Sequence, residues 1–163
     1  MKLCRYGKDG FEKPGMIDAD GKIRDLSKII PQIGPNEVSE RAFQMQSSQW
    51  DKGKGYDTFG PIGPWLVTTD EITDPQNLNM WLDLNGKRMQ SGNTRTMIFS
   101  CAHIVSYVSQ YMTLLPGDII TTGTPPGVGM GVKPNPVWLQ PGDVVTLGVE
   151  GLGQQRQKIV RHA

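Results

Sequence analysis

The residues of this chain best suited to chemistry gather between Asn36 and Pro64, in NEVSERAFQMQSSQWDKGKGYDTFGPIGP. An acid (Glu37), an amide (Gln44), three cationic side chains (Arg41, Lys52, Lys54) and a hydroxyl (Thr58) precede a Gly/Pro-rich exit. Core-building sequence has a long apolar period; this stretch has none and uses its residues on polar groups and turns. It suits a site that binds an anionic ligand with a hard metal ion, and it equally suits a solvated loop between two elements. Magnesium takes oxygen ligands in an octahedron, keeps several waters and needs only one or two protein carboxylates. Glu37 can be one of them. Lys54 and Thr58, on either side of a glycine, can converge on the same anionic oxygens, the lysine as a mobile charge and the threonine as a neutral donor or acceptor. The backbone amides around Gly123-Thr124 can hold a carboxylate or a developing oxyanion.

Other chemistries find less support. His103 lies on an expected helix and His162 next to the C-terminal residue, and both read as structural. A serine hydrolase elbow, Gly-x-Ser-x-Gly, is absent. The glycines after Thr122 do not follow the phosphate-loop pattern, and Gly127-Val128-Gly129 is not at a strand-to-helix turn, which argues against nucleotide binding. A formal net charge of +1, without a basic or acidic block, leaves no electrostatic footprint for nucleic acid or a membrane surface. No apolar run approaches the roughly 20 residues of a membrane helix, and MKLCRYGKDG has no signal-peptide core. Cys4 and Cys101 cannot form a zinc cluster and read as free thiols in a reducing compartment, so a cytoplasmic location is expected.

The elements that must position these groups are short. Twenty glycines and twelve prolines in 163 residues, with 37% hydrophobic and 20% charged residues, point to one mainly β (α+β) protein of short strands and tight corners. Strands are expected at Lys2–Tyr6, at Met16–Asp18 and Lys22–Leu26 around an Asp20-Gly21 hairpin turn, and at Trp65–Thr68. Ser27–Pro35 is too proline-rich for a helix. A short helix and a mobile lysine-glycine loop should precede the Pro61–Pro64 corner. Asn79–Leu84 and Lys87–Gln90 flank Asn85-Gly86, the strongest hairpin signal in the chain. One principal helix is expected at about 94–112, with apolar residues at Ile98, Cys101, Ala102, Val105 and Met112 and caps from Asn93, Thr94 or Thr96. Pro116–Thr121 and Pro141–Thr146 then repeat one idea, a Pro-Gly turn feeding a β-branched strand. The last strand is expected at Gln154–Val160.

Several longer motifs resemble the fumarylacetoacetate hydrolase family. They are Asn36–Gln44, Lys52–Trp65, Pro116–Ile120, Thr122–Gly129 and Gly151–Gly153, in the family's order, with Gly15–Gly21 also in character. Within the family the chain is most similar to the bacterial group of 2,4-diketo-3-deoxy-L-fuconate hydrolases and ureidoglycolate lyase-like proteins. The resemblance implies a fumarylacetoacetase-like β-roll with an N-terminal hairpin region at 1–35 and a catalytic domain at 36–163. It also implies a Mg²⁺ or Mn²⁺ site, a homodimer, and cleavage or rearrangement of a small anionic 2-oxo acid. Carried over by motif, Glu37 stands at an acidic metal ligand that is more usually aspartate. Lys54 and Thr58 match the lysine and threonine near the metal, with Lys54 also catalytic, and Gln44 and Thr124 match substrate-contacting residues.

The sequence departs from the family at one place. Members carry a longer segment before the Asn-Asp-x-Ser motif, with a histidine and a Glu-x-Glu metal pair, where this chain has only Ser27–Pro35. The expected function is therefore a metal-dependent hydrolase that cleaves a C–C bond of a 2,4-dioxo acid. The alternatives are C–N cleavage of the ureidoglycolate lyase type, or a shortened, inactive relative that only binds or scaffolds.

Overall fold

The computed structural model describes residues 38–161, residue 8, and the backbone of three strands nearer the N-terminus. The chain divides into two compact units, Met1–Val67 and Thr68–Ala163. In the first, β1 (Lys2–Tyr6), β2 (Lys13–Ile17), β3 (Ile23–Asp25) and β4 (Trp65–Val67) form one antiparallel sheet in the order β3-β2-β1-β4. The strands expected on either side of Asp20-Gly21 pair as foreseen, Met16 opposite Arg24. The turn itself, and the Ser27–Pro35 segment, lie outside the described residues. Two single-turn helices, α1 (Arg41–Gln44) and α2 (Asp51–Lys54), complete this unit.

The second unit is built on β5 (Asn79–Leu84), β6 (Lys87–Asn93), β7 (Val144–Val149) and β8 (Gly153–Lys158), antiparallel in the order β6-β5-β7-β8. Asn85 (φ 51) and Gly86 (φ 79) both take the left-handed backbone that a two-residue hairpin needs. The Asn85 side chain then serves a second strand. Its Nδ2 donates to Asp143 Oδ1 at 2.8 Å and its Oδ1 accepts from Val144 N at 2.9 Å, fixing where β7 begins. On the face between β5 and β7, Trp81 lies against Gly148, where a Cβ would sit 3.0 Å from the indole. The Arg88 guanidinium covers the Trp81 ring at 4.8 Å and pairs with Asp83. Among the described residues Leu78 is the buried apolar side chain.

Two expectations need correction. The helix expected over 94–112 is a 3-10 turn at Thr94–Thr96 and a separate α3 at Cys101–Val108. Asn93 Oδ1 caps the 3-10 turn through Arg95 N, Met97 (ψ 139) leaves helical backbone, and the Ser100 hydroxyl starts α3 by accepting from His103 N at 3.1 Å. Gln76 Oε1 also accepts from Cys101 N at 2.5 Å, so this start is fixed from outside the helix. Past Ser109 the chain continues in turns such as Tyr111 N to Val108 O (3.0 Å). The second correction concerns the two Pro-Gly corners. The one at Pro141-Gly142 feeds β7, but Ile119–Thr121 after Pro116-Gly117 joins neither sheet.

Candidate functional site

The stretch from Val38 to Gly60 is a compact knot. Glu40 caps α1, its Oε2 accepting from Phe43 N at 2.7 Å, while its own N–H donates to Gly53 O at 2.9 Å. That second bond ties α2 to the start of α1. Gln44 is 1% exposed, the most buried side chain among the described residues, and its Oε1 accepts from Arg41 Nη1 at 2.5 Å. Gly53 is buried directly on it. A Cβ at position 53 would lie 2.6 Å from both the Gln44 nitrogen and its Cβ, so only glycine allows the approach. The lysine-glycine segment read as a mobile loop is thus a helical turn, with acidic Asp51 at its start and Lys52 and Lys54 at its end, as the helix dipole favours.

Lys54 is the last residue of that turn, half-buried, and the chain leaves through Gly55. Phe59 N then closes a turn on Tyr56 O at 3.1 Å. Aromatic contacts fasten this turn to α1. Tyr56 stacks on Phe43 at 6.1 Å and meets Phe59 at 5.2 Å, while Lys52 Nζ lies 5.1 Å from the Phe43 ring centre. Thr58, exposed, occupies the third position of the turn with φ 65. Glycine or asparagine takes this backbone readily, whereas a β-branched residue there is an outlier costing on the order of 1–3 kcal/mol. The sequence motif gave no hint of this geometry.

Thr124 belongs to the second unit. Its hydroxyl accepts from Gln90 Nε2 at 2.8 Å, and the same nitrogen donates to Pro125 O at 2.6 Å. Gln90, on β6 and 7% exposed, was missed by sequence reasoning. Its only signal was an amide between strand neighbours, which motifs and hairpin rules pass over. Two glycines let the loop close on β6. A Cβ at Gly92 would reach 2.6 Å from Pro125 Cβ, and one at Gly127 (φ 110) would overlap the Met89 carbonyl oxygen. Lys54, Thr58 and Gln44 therefore share one knot, and Thr124 stands on a separate glutamine-held loop.

Glu37 and His162 lie outside the described residues. His103 joins neither region; it stacks on Phe99 at 4.9 Å and lies 6.4 Å from Tyr107. Among the described residues no three His, Cys, Asp or Glu side chains gather to hold a metal ion. Lys54 brings positive charge and Thr58 none, and the Glu40 carboxylate is engaged as a helix cap. This donor set does not by itself fit a divalent cation, which needs anionic oxygen.

Antiparallel sheets joined by tight corners, with polar side chains on glycine-locked loops, define a β-rich domain of the kind that carries a small-molecule site on its connections. The chain belongs to the fumarylacetoacetate hydrolase family: the family's model for the fumarylacetoacetate hydrolase C-terminal domain matches residues 34–160. An inferred hydrolase of Burkholderia cenocepacia strain HI2424 is 65% identical over 138 residues, which are 84% of this chain and 49% of that protein. Another from Burkholderia multivorans is 64% identical over 137 residues, 83% and 49% of the two chains. The chain thus spans about half the length of the curated relatives it matches. Among solved structures, a fumarylacetoacetate hydrolase from Exiguobacterium antarcticum aligns with TM-score 0.74 at 41% identity, covering 77% of this chain and 45% of that one. A maleylpyruvate hydrolase from Sphingobium sp. SYK-6, in complex with manganese(II) and pyruvate, aligns with TM-score 0.60 at 37% identity over 69% and 39%. The mainly antiparallel architecture with few helices agrees with these neighbours.

Proposed function

We propose that this chain binds a small anionic 2-oxo or 2,4-dioxo acid through Lys54 and Thr58, and through Thr124 by its family motif, in an enzyme that cleaves a C–C bond by hydrolysis. The observation that carries the reading is the backbone of Thr58. A β-branched residue held at φ 65, one short turn after Lys54, is strain of the sort retained where a side chain must point at a ligand. The pyruvate complex of the maleylpyruvate hydrolase supports the substrate class.

In such a hydrolysis water adds to the distal carbonyl, the adjacent C–C bond breaks, and the enolate of a 2-oxo acid departs and takes a proton. Lys54 meets the charge that develops on that enolate. Thr58 and Thr124 orient the acid through their hydroxyls. Gln44 acts by seating Gly53, and hence Lys54, because its amide oxygen is already held by Arg41. A divalent cation, Mg²⁺ or Mn²⁺, belongs to this reading through the manganese-bound neighbour. Its anionic ligands would come from outside the described residues, Glu37 among them.

The test is pyruvate release from an acylpyruvate, assayed with Mn²⁺, with Mg²⁺ and with EDTA, beside glyoxylate release from ureidoglycolate. Pyruvate release that EDTA abolishes, and that Lys54→Ala lowers about a hundredfold or more with the circular dichroism unchanged, is the expected result. Glyoxylate in place of pyruvate would move the assignment to C–N cleavage. Neither product, with no pyruvate binding by calorimetry, would leave a binding or structural protein.

A further inference from the structure

Of the asparagines in the chain, Asn85 alone is followed by glycine. The pair makes the turn between β5 and β6, exposed and with both residues in left-handed backbone. Asn85 also does something the turn does not require. Its N–H donates to Val144 O at 2.8 Å and its Oδ1 accepts from Val144 N at 2.9 Å. The side chain thus stands in for a backbone carbonyl and adds one rung to the β5–β7 ladder. Its Nδ2 donates to Asp143 Oδ1 at 2.8 Å, so both heteroatoms of the carboxamide are fastened to the start of β7.

Asp143 passes the connection on. Its Oδ2 accepts from Gln140 N at 2.7 Å and its N–H donates to Gln140 O at 3.0 Å, closing the Pro141-Gly142 corner. Its carbonyl accepts from Ile159 N, and Gly142 N donates to Ile159 O, both at 2.8 Å, just past the end of β8. The corner at Leu115–Asp118 is closed by the same two bonds, at 2.7 and 3.0 Å, but among the described residues no asparagine braces Asp118. The Asn85 amide is the first cause that holds the Asp143 carboxyl below the usual carboxylate range, so the amide faces an anion at neutral pH.

Before glycine, asparagine is at its least durable, because no neighbouring side chain hinders attack of the next backbone nitrogen on the carboxamide. The Gly86 nitrogen loses its proton and bonds to Asn85 Cγ, the Cγ–Nδ2 bond breaks, and ammonia leaves. Water then opens the cyclic imide. Opening at Cγ leaves aspartate; opening at the Asn85 main-chain carbonyl leaves isoaspartate, whose backbone runs through the former side chain. The carboxamide reacts only when Gly86 N can come over its face, and held by both heteroatoms it is not free to turn. We propose that Asn85-Gly86 is a modification site: β7 shields it from deamidation while the hairpin end is closed, and the acid formed on opening stops that end from closing again. Aspartate sets a carboxylate against Asp143 and removes the amide donor, and isoaspartate adds a methylene to a tight turn. A passing fluctuation of the sheet end thereby becomes permanent. The inference stands on the fold and is independent of the catalytic reading.

The full 163-residue chain should be kept at mildly alkaline pH, folded and in urea above its unfolding midpoint. Conversion at Asn85 is followed by peptide mass mapping and an isoaspartate methyltransferase assay. Conversion about tenfold or more slower in the folded chain is expected. Asp143→Leu, which removes the acceptor of the Nδ2 bond, should speed the folded reaction about threefold or more and leave the rate in urea unchanged. Asp143→Asn keeps an acceptor oxygen and should stay near the parent. Asn85→Asp, made directly, should unfold at lower urea than the parent, with faster amide exchange at Val144. Equal rates in the folded and unfolded chain, no conversion in either, or a folded Asp143→Leu that converts no faster than the parent would overturn the proposal. If that variant does not fold, the parent's two rates decide. An Asn85→Asp variant with the parent's midpoint would also overturn it, because the acid would then close the turn as well as the amide does.

Discussion

The knot around Lys54 and the loop around Thr124 solve one problem by different means. Each presents an exposed or half-buried polar side chain from a short connection, and each rests on a buried glutamine closed over by a glycine. At Lys54 the glutamine is spent locally: Gln44 is bonded by Arg41 of its own helix, and the loop is held by backbone, Glu40 N to Gly53 O, and by the close seat of Gly53. At Thr124 the glutamine reaches across the sheet edge, with Gln90 Nε2 donating to both the Thr124 hydroxyl and the Pro125 carbonyl. The first device fixes a backbone and leaves its strain at Thr58. The second fixes a hydroxyl directly.

The comparison is broken most severely at Gly127. An alanine there would need φ 110 and would push its Cβ into the Met89 carbonyl oxygen, a backbone atom that cannot turn aside. A loss of about 3 kcal/mol or more is expected, from backbone strain and overpacking together. Gly123→Ala is its control: φ is 92 but the Cβ would meet nothing within 4 Å, so only the conformational cost of about 1 kcal/mol should appear. Equal losses in a denaturant titration of the two variants would mean that the close seat on β6 does not hold the loop.

Gln90→Met comes next. It keeps the volume but removes both donated bonds, leaving the Pro125 carbonyl unpaired in a part-buried place, which should cost about 2 kcal/mol. Affinity for pyruvate should fall with it, since the Thr124 hydroxyl loses its partner. Gly53→Ala should cost less, about 1–2 kcal/mol. Overpacking against Gln44 works against it, while the gain in helix propensity of roughly 1 kcal/mol from Gly to Ala offsets part of the clash. If Gly53→Ala proved the more damaging of the two, the local device would be the stronger lock.

How far the sequence displayed this arrangement depended on whether the signal was local. Asn85-Gly86 declared its hairpin because the two residues themselves carry the left-handed backbone. Lys54, Thr58 and Thr124 were visible as residues through motif spacing, but the way each is held was not. Gln90 works through partners 34 and 35 residues away, a distance no turn or helix rule spans. The break over 97–100 was hidden for a similar reason: the apolar spacing that ends at Met112 starts inside it, at Ile98, and the true start of α3 is set by Ser100 together with Gln76. The two Pro-Gly-Asp corners looked alike in sequence because as turns they are alike, and strand pairing is decided by neighbours the six residues do not contain.

Thr58→Gly has the smallest expected effect and most sharpens the contrast, because it should move stability and binding in opposite directions. Threonine at φ 65 carries on the order of 1–2 kcal/mol of backbone strain, and glycine removes it. Glycine also loosens the unfolded chain, which returns about 0.5–1 kcal/mol. The net is a slight stabilisation, visible as a higher midpoint in thermal unfolding, while the lost hydroxyl weakens pyruvate binding in calorimetry. No such trade is available at Thr124, where Thr124→Val removes the acceptor of the Gln90 bond and should lower both stability and binding. A Thr58→Gly variant that unfolds earlier than the parent would show that the knot favours threonine in this turn for packing. The strain would then cease to mark a ligand-facing side chain, and the two loops would differ only in which glutamine anchors them.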